Sequence, residues 1–344
     1  MTRCWRLLSV ALLAALASPS VDAATAATDT PHSGALWTLP LGDGATLPMA
    51  WIPPGHFRLG SPPSEPLRGA DEGPEATVTL SQGYWLGTTL VTIGQWRAVM
   101  GWGVREQLLR VLHDDHKYAF NGRHQTLRDY MQFAVDADPE RYLANEDDEL
   151  PMYFVSWFDA QAFCAALNTR ERAAGRLPPH YVYALPTEAQ WEYASRAGTR
   201  TASYAGIVAG ASAPDPVLDG IAWYDANSGL GYHGHGWTVQ GRLAGPHPVA
   251  QKRANAWGLY DMAGNLWQWC RDWYGGYTGG ERIDPTGPPH GTLRVNRGGS
   301  FGSAARDQRS ASRAGNPPAE ASAFRGFRLA LVRNSARLGS SASW

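Results

Sequence analysis

Asn255–Trp273, NAWGLYDMAGNLWQWCRDW, is the stretch around which the rest of the chain is organised. Four tryptophans, a tyrosine and two aspartates surround three turn residues, Asn255, Gly258 and Gly264. Tryptophan buries a large area but needs a partner for its indole N–H, so this density implies a tightly packed, irregular interior. Gly264-Asn265 is a turn dipeptide, because glycine takes positive φ freely and asparagine tolerates the left-handed region. Flanked by Asp261 and Gln268, such a turn can aim side-chain and main-chain oxygens at one point. Hard cations such as calcium are held in that way. A tryptophan-rich core turn without an ion gives the same pattern.

Working outward, 344 residues suffice for one large domain or two small ones. The formal charge of −1 gives no electrostatic footprint for nucleic acid or an anionic membrane. Glycine (38), proline (24) and tryptophan (15) are high while charged residues make up only 18%, a profile of turns and aromatic packing rather than long regular elements. So many aromatics exclude a disordered chain.

The first 23 residues read as a secretory leader: Arg3 and Arg6, the apolar run Leu7 to Ala17, then Val21-Asp22-Ala23 as a small-x-small cleavage pattern. That run is too short to span a bilayer. Cys4 precedes it and so cannot be a lipidated cysteine. The mature chain is therefore expected to be periplasmic, without a membrane span. Cys164 and Cys270 then remain, and an oxidising compartment permits a bridge between them. Both lie in apolar segments where free buried cysteine is also common, and the sequence leaves the pairing open.

Along the chain, 24–34 reads as a linker and 335–344 as a tail. MAWIPPGHFRLGS reads as a strand entering a turn, and TVTLSQGYWLGTTLVT as two short β runs ending at Thr92, whose hydroxyl can cap the helix IGQWRAVM. Residues 102–148 differ in composition and read as an inserted helical lobe. Its Leu108, Leu109, Leu112, Tyr118, Phe120, Tyr130 and Phe133 exceed what one short helix needs for docking, which marks it either as a partner-binding element or as cover for the domain's own edge. His113 and His116 have no third ligand at metal spacing and read as a solvated helix face. PMYFVSW reads as a buried strand before the helix opened by Asp159, which Gly175 closes. YVYALPTEAQWEYASRAG reads as a strand, then a helix with Thr187 and Gln190 as a capping box. Asp225, Asn227, His233 and His235 occupy a glycine-rich loop, where histidines read as exposed. LRVNRGGSF gives a strand and turn, and AFRGFRLALV a final strand.

IPPGHFRLGS, VTIGQW, VSWFDAQAFC, LPTEAQWEYASRAG, NAWGLYDMAGNLWQWCRDW, RVNRGGSF and FRGFRLA occur in the order seen in the formylglycine-generating enzyme (sulfatase-modifying factor) family. The resemblance covers roughly residues 35–334, with 102–148 as an insertion. It implies a single α+β domain with a variant C-type-lectin-like fold, loop-rich, with mixed short sheets and few helices. The family's enzymes oxidise a substrate cysteine to formylglycine with oxygen and a copper(I) ion held by two cysteines. Here those positions are Ser303 and Gln308, which lack the soft thiolate that copper(I) prefers. Ser300 and Trp267 match the supporting residues. The resemblance therefore implies no catalytic residues, no copper and no formylglycine generation.

The family's calcium loop maps onto Asp261, Gly264, Leu266 and Gln268, with Asn265 inside the turn. Glutamine replaces the usual glutamate and removes one charge, which aspartate at the first position restores. A structural calcium ion is the expectation. The sulfoxide-synthase branch needs a His-x3-His-x-Glu pattern that the chain lacks. An exported chain without the cysteine pair resembles the family's non-catalytic periplasmic regulators, which act upstream of the threonine-kinase switch of type VI secretion. That implies a partner in the envelope: the periplasmic part of a transmembrane kinase, or an associated lipoprotein. The alternative is a periplasmic enzyme of pyoverdine-type siderophore maturation.

Overall fold

The computed structural model describes residues 31–334 apart from 121, 133–141, 209, 211–213 and 231–235. The expected leader, most of the linker, the tail, Phe133, His233 and His235 lie outside the described residues. No helix among the described residues is long and apolar enough to cross a membrane.

Short sheets and few helices make up the fold. An antiparallel five-stranded sheet runs in the order Leu36–Gly42, Ala45–Ile52, Tyr84–Gly87, Ala330–Arg333, Tyr181–Ala184. The last strand of the domain thus pairs with early ones and closes the chain on itself. A four-stranded sheet places Trp267–Trp273 between Arg294–Arg297 and Arg325–Phe327, with Arg313–Asn316 at its edge. Gly280–Ile283, Ala76–Leu80 and Gly55–Leu59 form a third.

Local chemistry sets the helix starts. Thr92 caps Ile93–Met100, Ser156 caps Trp157–Ala173 and Thr187 caps Glu188–Arg196. In each, the third residue in (Gln95, Asp159, Gln190) returns a hydrogen bond to the cap N–H. Aromatic rings fill the space between helices and sheets: Trp96 stacks on Phe163 with centroids 5.6 Å apart, and Phe327 lies edge-on to both. Glu188–Arg196 is tied down by charge instead. Its Glu188 holds Arg313 at 2.7 Å, and its Glu192 pairs with Arg297 and, at 2.9 Å, with Arg196. All five groups are buried, so removing any one partner strands a charge out of water.

Three expectations need correction. PMYFVSW is buried but is not a strand: Phe154 takes φ +57, and its N–H goes to Ser322 O at 3.2 Å. AFRGFRLALV is two strands in different sheets, Arg325–Phe327 and Ala330–Arg333. Among its described residues the inserted lobe holds one helix of length, Val104–Leu112, followed by a hairpin, Lys117–Phe120 with Arg123–Thr126, and a single turn, Leu127–Tyr130. Its apolar residues are not a surplus. Val104, Leu108 and Leu112 belong to the main core, and Phe120 and Leu127 pack with Ala319 and Ala321 of the body.

Candidate functional site

Gly298 and Gly299, both at positive φ, turn the chain out of strand Arg294–Arg297 and into Ser300. The segment then folds back through Ser303 into the short 3-10 helix Ala305–Gln308. The turn brings Ser300, Ser303 and Gln308 against Trp267 at the head of the central strand. Ser303 Oγ lies 2.9 Å from Ser300 Oγ and accepts hydrogen bonds from the Trp267 indole N–H (3.0 Å) and the Ser300 N–H (3.2 Å). Buried Gln308 donates from Nε2 to Ser303 O (3.3 Å) and Ala304 O (3.2 Å), while its Oε1 has no partner.

Asp225, which sequence reading left in a glycine-rich loop, stands beside this cluster. Its N–H donates to Ser303 O at 3.1 Å. Its Oδ2 accepts from Gln240 Nε2 at 3.2 Å, its Oδ1 is buried without a partner, and burial raises its carboxyl pKa. Only a long-range contact joins Asp225 to Ser303, so spacing carried no signal of it. Two hydroxyls, a carboxamide and a carboxyl can hold polar groups by hydrogen bonds. None is a soft ligand for copper(I), and no base is among the hydrogen-bond partners of Ser303.

The residues of the expected calcium loop do come together. Gly264 and Asn265 take φ +76 and +63, and a Cβ on Gly264 would overlap the Trp223 carbonyl oxygen, so only glycine fits. Asn265 is spent on the backbone: its Oδ1 accepts from His247 N (3.1 Å) and its Nδ2 donates to His247 O (2.9 Å). Leu266 is wholly buried. Gln268 decides the fit. Its Oε1 accepts from Trp191 Nε1 at 2.8 Å and Arg328 Nε at 3.0 Å. Its Nε2 therefore faces the loop and donates to Asp261 O at 2.7 Å. Flipping the amide would set its N–H groups against two other donors, so a donor is locked where a calcium ligand needs an oxygen. Asp261 Oδ2 is already taken by Ala250 N at 2.9 Å. A cation of the protein's own acts on this loop: buried Arg328, whose pKa burial lowers to about 10, donates to Gln268 Oε1 and Tyr260 O and is attracted by the Asp261 carboxyl. As arranged, these residues do not fit a calcium ion. The missing second carboxylate oxygen is the physical reason.

Cys164 and Cys270 are both free and buried. No group of three or more His, Cys, Asp or Glu that could hold a metal occurs among the described residues, and His113 and His116 are exposed.

Comparison with known proteins agrees with this architecture. The family described as sulfatase-modifying factor enzyme 1-like domain matches residues 43–333. The formylglycine-generating enzyme of Streptomyces coelicolor is 36% identical over 185 residues, covering 52% of this chain and 52% of that protein. Such matches span about half the length of the relatives concerned. The inactive C-alpha-formylglycine-generating enzyme 2 of Bos taurus matches more fully, at 29% identity over 316 residues, or 85% of this chain and 90% of that one. Serine/threonine-protein kinase pkn1 of Chlamydia caviae is 33% identical over 184 residues, 52% of this chain and 24% of that protein. Among solved structures, Treponema denticola variable protein 1 has a TM-score of 0.60 at 26% identity, covering 88% of this chain and 99% of that one. PvdO from Pseudomonas aeruginosa shares the fold at 0.59 and 21%, with the same coverage.

Proposed function

The chain belongs to the sulfatase-modifying factor enzyme 1-like family, and on that premise we propose that it is a non-catalytic, exported binding protein. Its role is to engage the periplasmic region of a transmembrane Ser/Thr kinase, or an associated lipoprotein, and to promote activation of the kinase that controls type VI secretion. One observation carries the non-catalytic half. Ser303 and Gln308, which the family resemblance sets at the cysteine positions, are tied into hydrogen bonds with Trp267, Ser300 and Ala304. The likeness over 85% of the chain to a protein named inactive supports it.

The kinase half is supported by resemblance to the family's periplasmic regulators. A domain of this kind also makes up about a quarter of a protein named as a Ser/Thr kinase. Autophosphorylation of the full-length kinase, reconstituted in vesicles with its periplasmic region facing outward, tests the reading. Added chain is expected to raise the rate and to co-float with kinase vesicles but not with empty ones. An unchanged rate without co-flotation sinks the proposal.

A further inference from the structure

A cavity of about 300 Å³ opens beside the far end of strand Trp267–Trp273. It shares no residue with the Ser303 cluster. Trp273, Tyr277, Pro285 and Pro288 wall it, and Asp272, Glu188 and Arg313 lie at its base. The two carboxyl groups there are in opposite states. Glu188 is saturated: Arg313 donates to both its oxygens at 2.7 Å and the Tyr277 hydroxyl donates at 3.0 Å.

Asp272 has one hydrogen bond, its Oδ2 accepting from Glu188 N at 3.0 Å in the first turn of the helix. It makes no ion pair within 4 Å among the described residues, although it is 97% buried (3% exposed). Its Oδ1 has no hydrogen-bond partner and faces the cavity wall at Gly287, where a Cβ would lie 3.3 Å from it and 2.9 Å from Asp272 Cβ. Capping the helix explains Oδ2. It leaves Oδ1 without a protein donor, on a residue that lines the cavity.

The rim is contiguous with exposed aromatic surface. Trp273 stacks on the Arg294 guanidinium at 3.4 Å, Trp157 covers its other face at 3.8 Å, and Trp157 lies edge-on to Phe158, which is 50% exposed. Half-buried tryptophan and arginine beside an exposed phenylalanine are residues that protein interfaces concentrate.

We propose that this cavity receives a basic side chain of a partner protein, with Asp272 as its counter-ion and the Trp157–Phe158 surface as the apolar rim. The proposal rests on the binding role proposed above. An arriving cation supplies the donor that Oδ1 lacks. Of the cations at the cavity, Arg313 is committed to Glu188 and exposed Arg282 on the lining donates to Thr278 Oγ1, while Arg294 beside it is held by its two tryptophans and Arg271 O at 2.7 Å.

The carboxyl of Asp272 is pushed up to about 7, by burial first and then by the charge of Glu188. The charged groups around it are Glu188 from the helix, Arg271 and Arg294 from the central sheet, Arg313 from the edge strand, and Arg282 on the cavity lining from strand Gly280–Ile283. The acid-side shift of Glu188 and the basic range of Arg294, about 10, keep these fixed in charge between pH 6 and 8. A cation needs the carboxylate, so binding tightens about tenfold over that interval.

The experiment titrates the purified chain by NMR with N-acetyl-arginine methylamide, and with the citrulline analogue as a neutral isostere. The arginine probe is expected to bind, more tightly at pH 8 than at pH 6, and the citrulline probe at least tenfold more weakly. Asp272→Asn, which keeps an acceptor for Glu188 N, should lose both the affinity and its pH slope. Gly276→Phe leaves the buried charges alone, since a Cβ there meets nothing within 4 Å; it should fill the mouth and block the probe.

Equal binding of both probes, an unaltered slope in Asp272→Asn, or no shift at about 10 mM probe overturns the proposal. These titrations need no kinase. Failure of the kinase assay alone leaves the pocket standing, and failure of the titration alone leaves the kinase role with another contact surface.

Discussion

At the scale of single residues, one oxygen decides whether the turn at Gly264-Asn265 holds a metal. Glutamate at 268 would offer one oxygen to Trp191 and Arg328 and a second to the loop. Glutamine offers one, and both N–H donors claim it. The melting temperature of the chain is therefore expected to be the same in millimolar calcium and in chelator. Gln268→Glu should make it calcium-dependent, because a ligand confined to the folded state stabilises in proportion to ln(1 + [L]/Kd). A calcium-dependent melt of the unsubstituted chain would mean that Arg328 moves aside. Asp272 gives a second readout at this scale. Its folded carboxyl titrates at about 7 against an ordinary 3.8. A raised acid pKa contributes stability that is complete below the unfolded value and is lost as pH climbs through the folded one. The chain should thus lose stability relative to Asp272→Asn between about pH 4 and pH 7, by at most about 4 kcal/mol. Urea melts of both proteins across that range check the sign; parallel curves would refute it.

At the scale of elements, caps were legible and strands less so. Thr92 and the Thr187–Gln190 box are local chemistry, readable from four residues, and the helices begin where those residues stand. PMYFVSW looked like a strand because every residue is apolar or small, and all but Trp157 are buried. Burial here comes from packing between the helix Trp157–Ala173 and the sheets, and the left-handed Phe154 breaks any ladder. The inserted lobe failed as a reading for a related reason. Counting its leucines showed that they need cover without showing whose surface supplies it. Helix Val104–Leu112 buries Val104 and Leu108 completely, in the same core as Trp96 and Phe154. Gln107 adds a hydrogen bond from Nε2 to Phe154 O at 3.2 Å. The lobe is thus part of the scaffold. Leu108→Ala should cost about 2–5 kcal/mol of global stability in urea unfolding, as deletions in a packed core do. A loss under about 0.5 kcal/mol, the range of surface changes, would return the lobe to the list of detachable contact elements.

At the scale of the whole molecule, the α+β architecture was legible because seven motifs recur in order, and those motifs are turns and tryptophans that hold an irregular core. What stayed hidden were long-range meetings. Asp225 beside Ser303, Asp272 under Gly287 and Arg328 against Gln268 join residues 78, 15 and 60 positions apart, with no periodic signal between them. The same separation of scaffold from chemistry predicts how little distinguishes this chain from a copper-binding one. On the reading that sets the family's cysteines at 303 and 308, a frame for them is present: Trp267 aims its N–H at Ser303, and the two positive-φ glycines present Ser300. Gln308 fills the remaining space so closely that a Cβ on Gly299 would lie 2.7 Å from its amide carbon. Its Oε1 is left without a donor, so its removal sacrifices little. The unsubstituted chain should not compete with a copper(I) chelator or convert a Cys-x-Pro-x-Arg peptide to the aldehyde. The double variant Ser303→Cys, Gln308→Cys should gain copper(I) binding, since two thiolates on an unchanged frame supply the soft ligands. Chelator competition measures the first, and mass spectrometry of the peptide the second. Copper(I) held equally by both proteins would place the metal elsewhere, and with it the reading of Ser303 and Gln308 as the lost centre would fall.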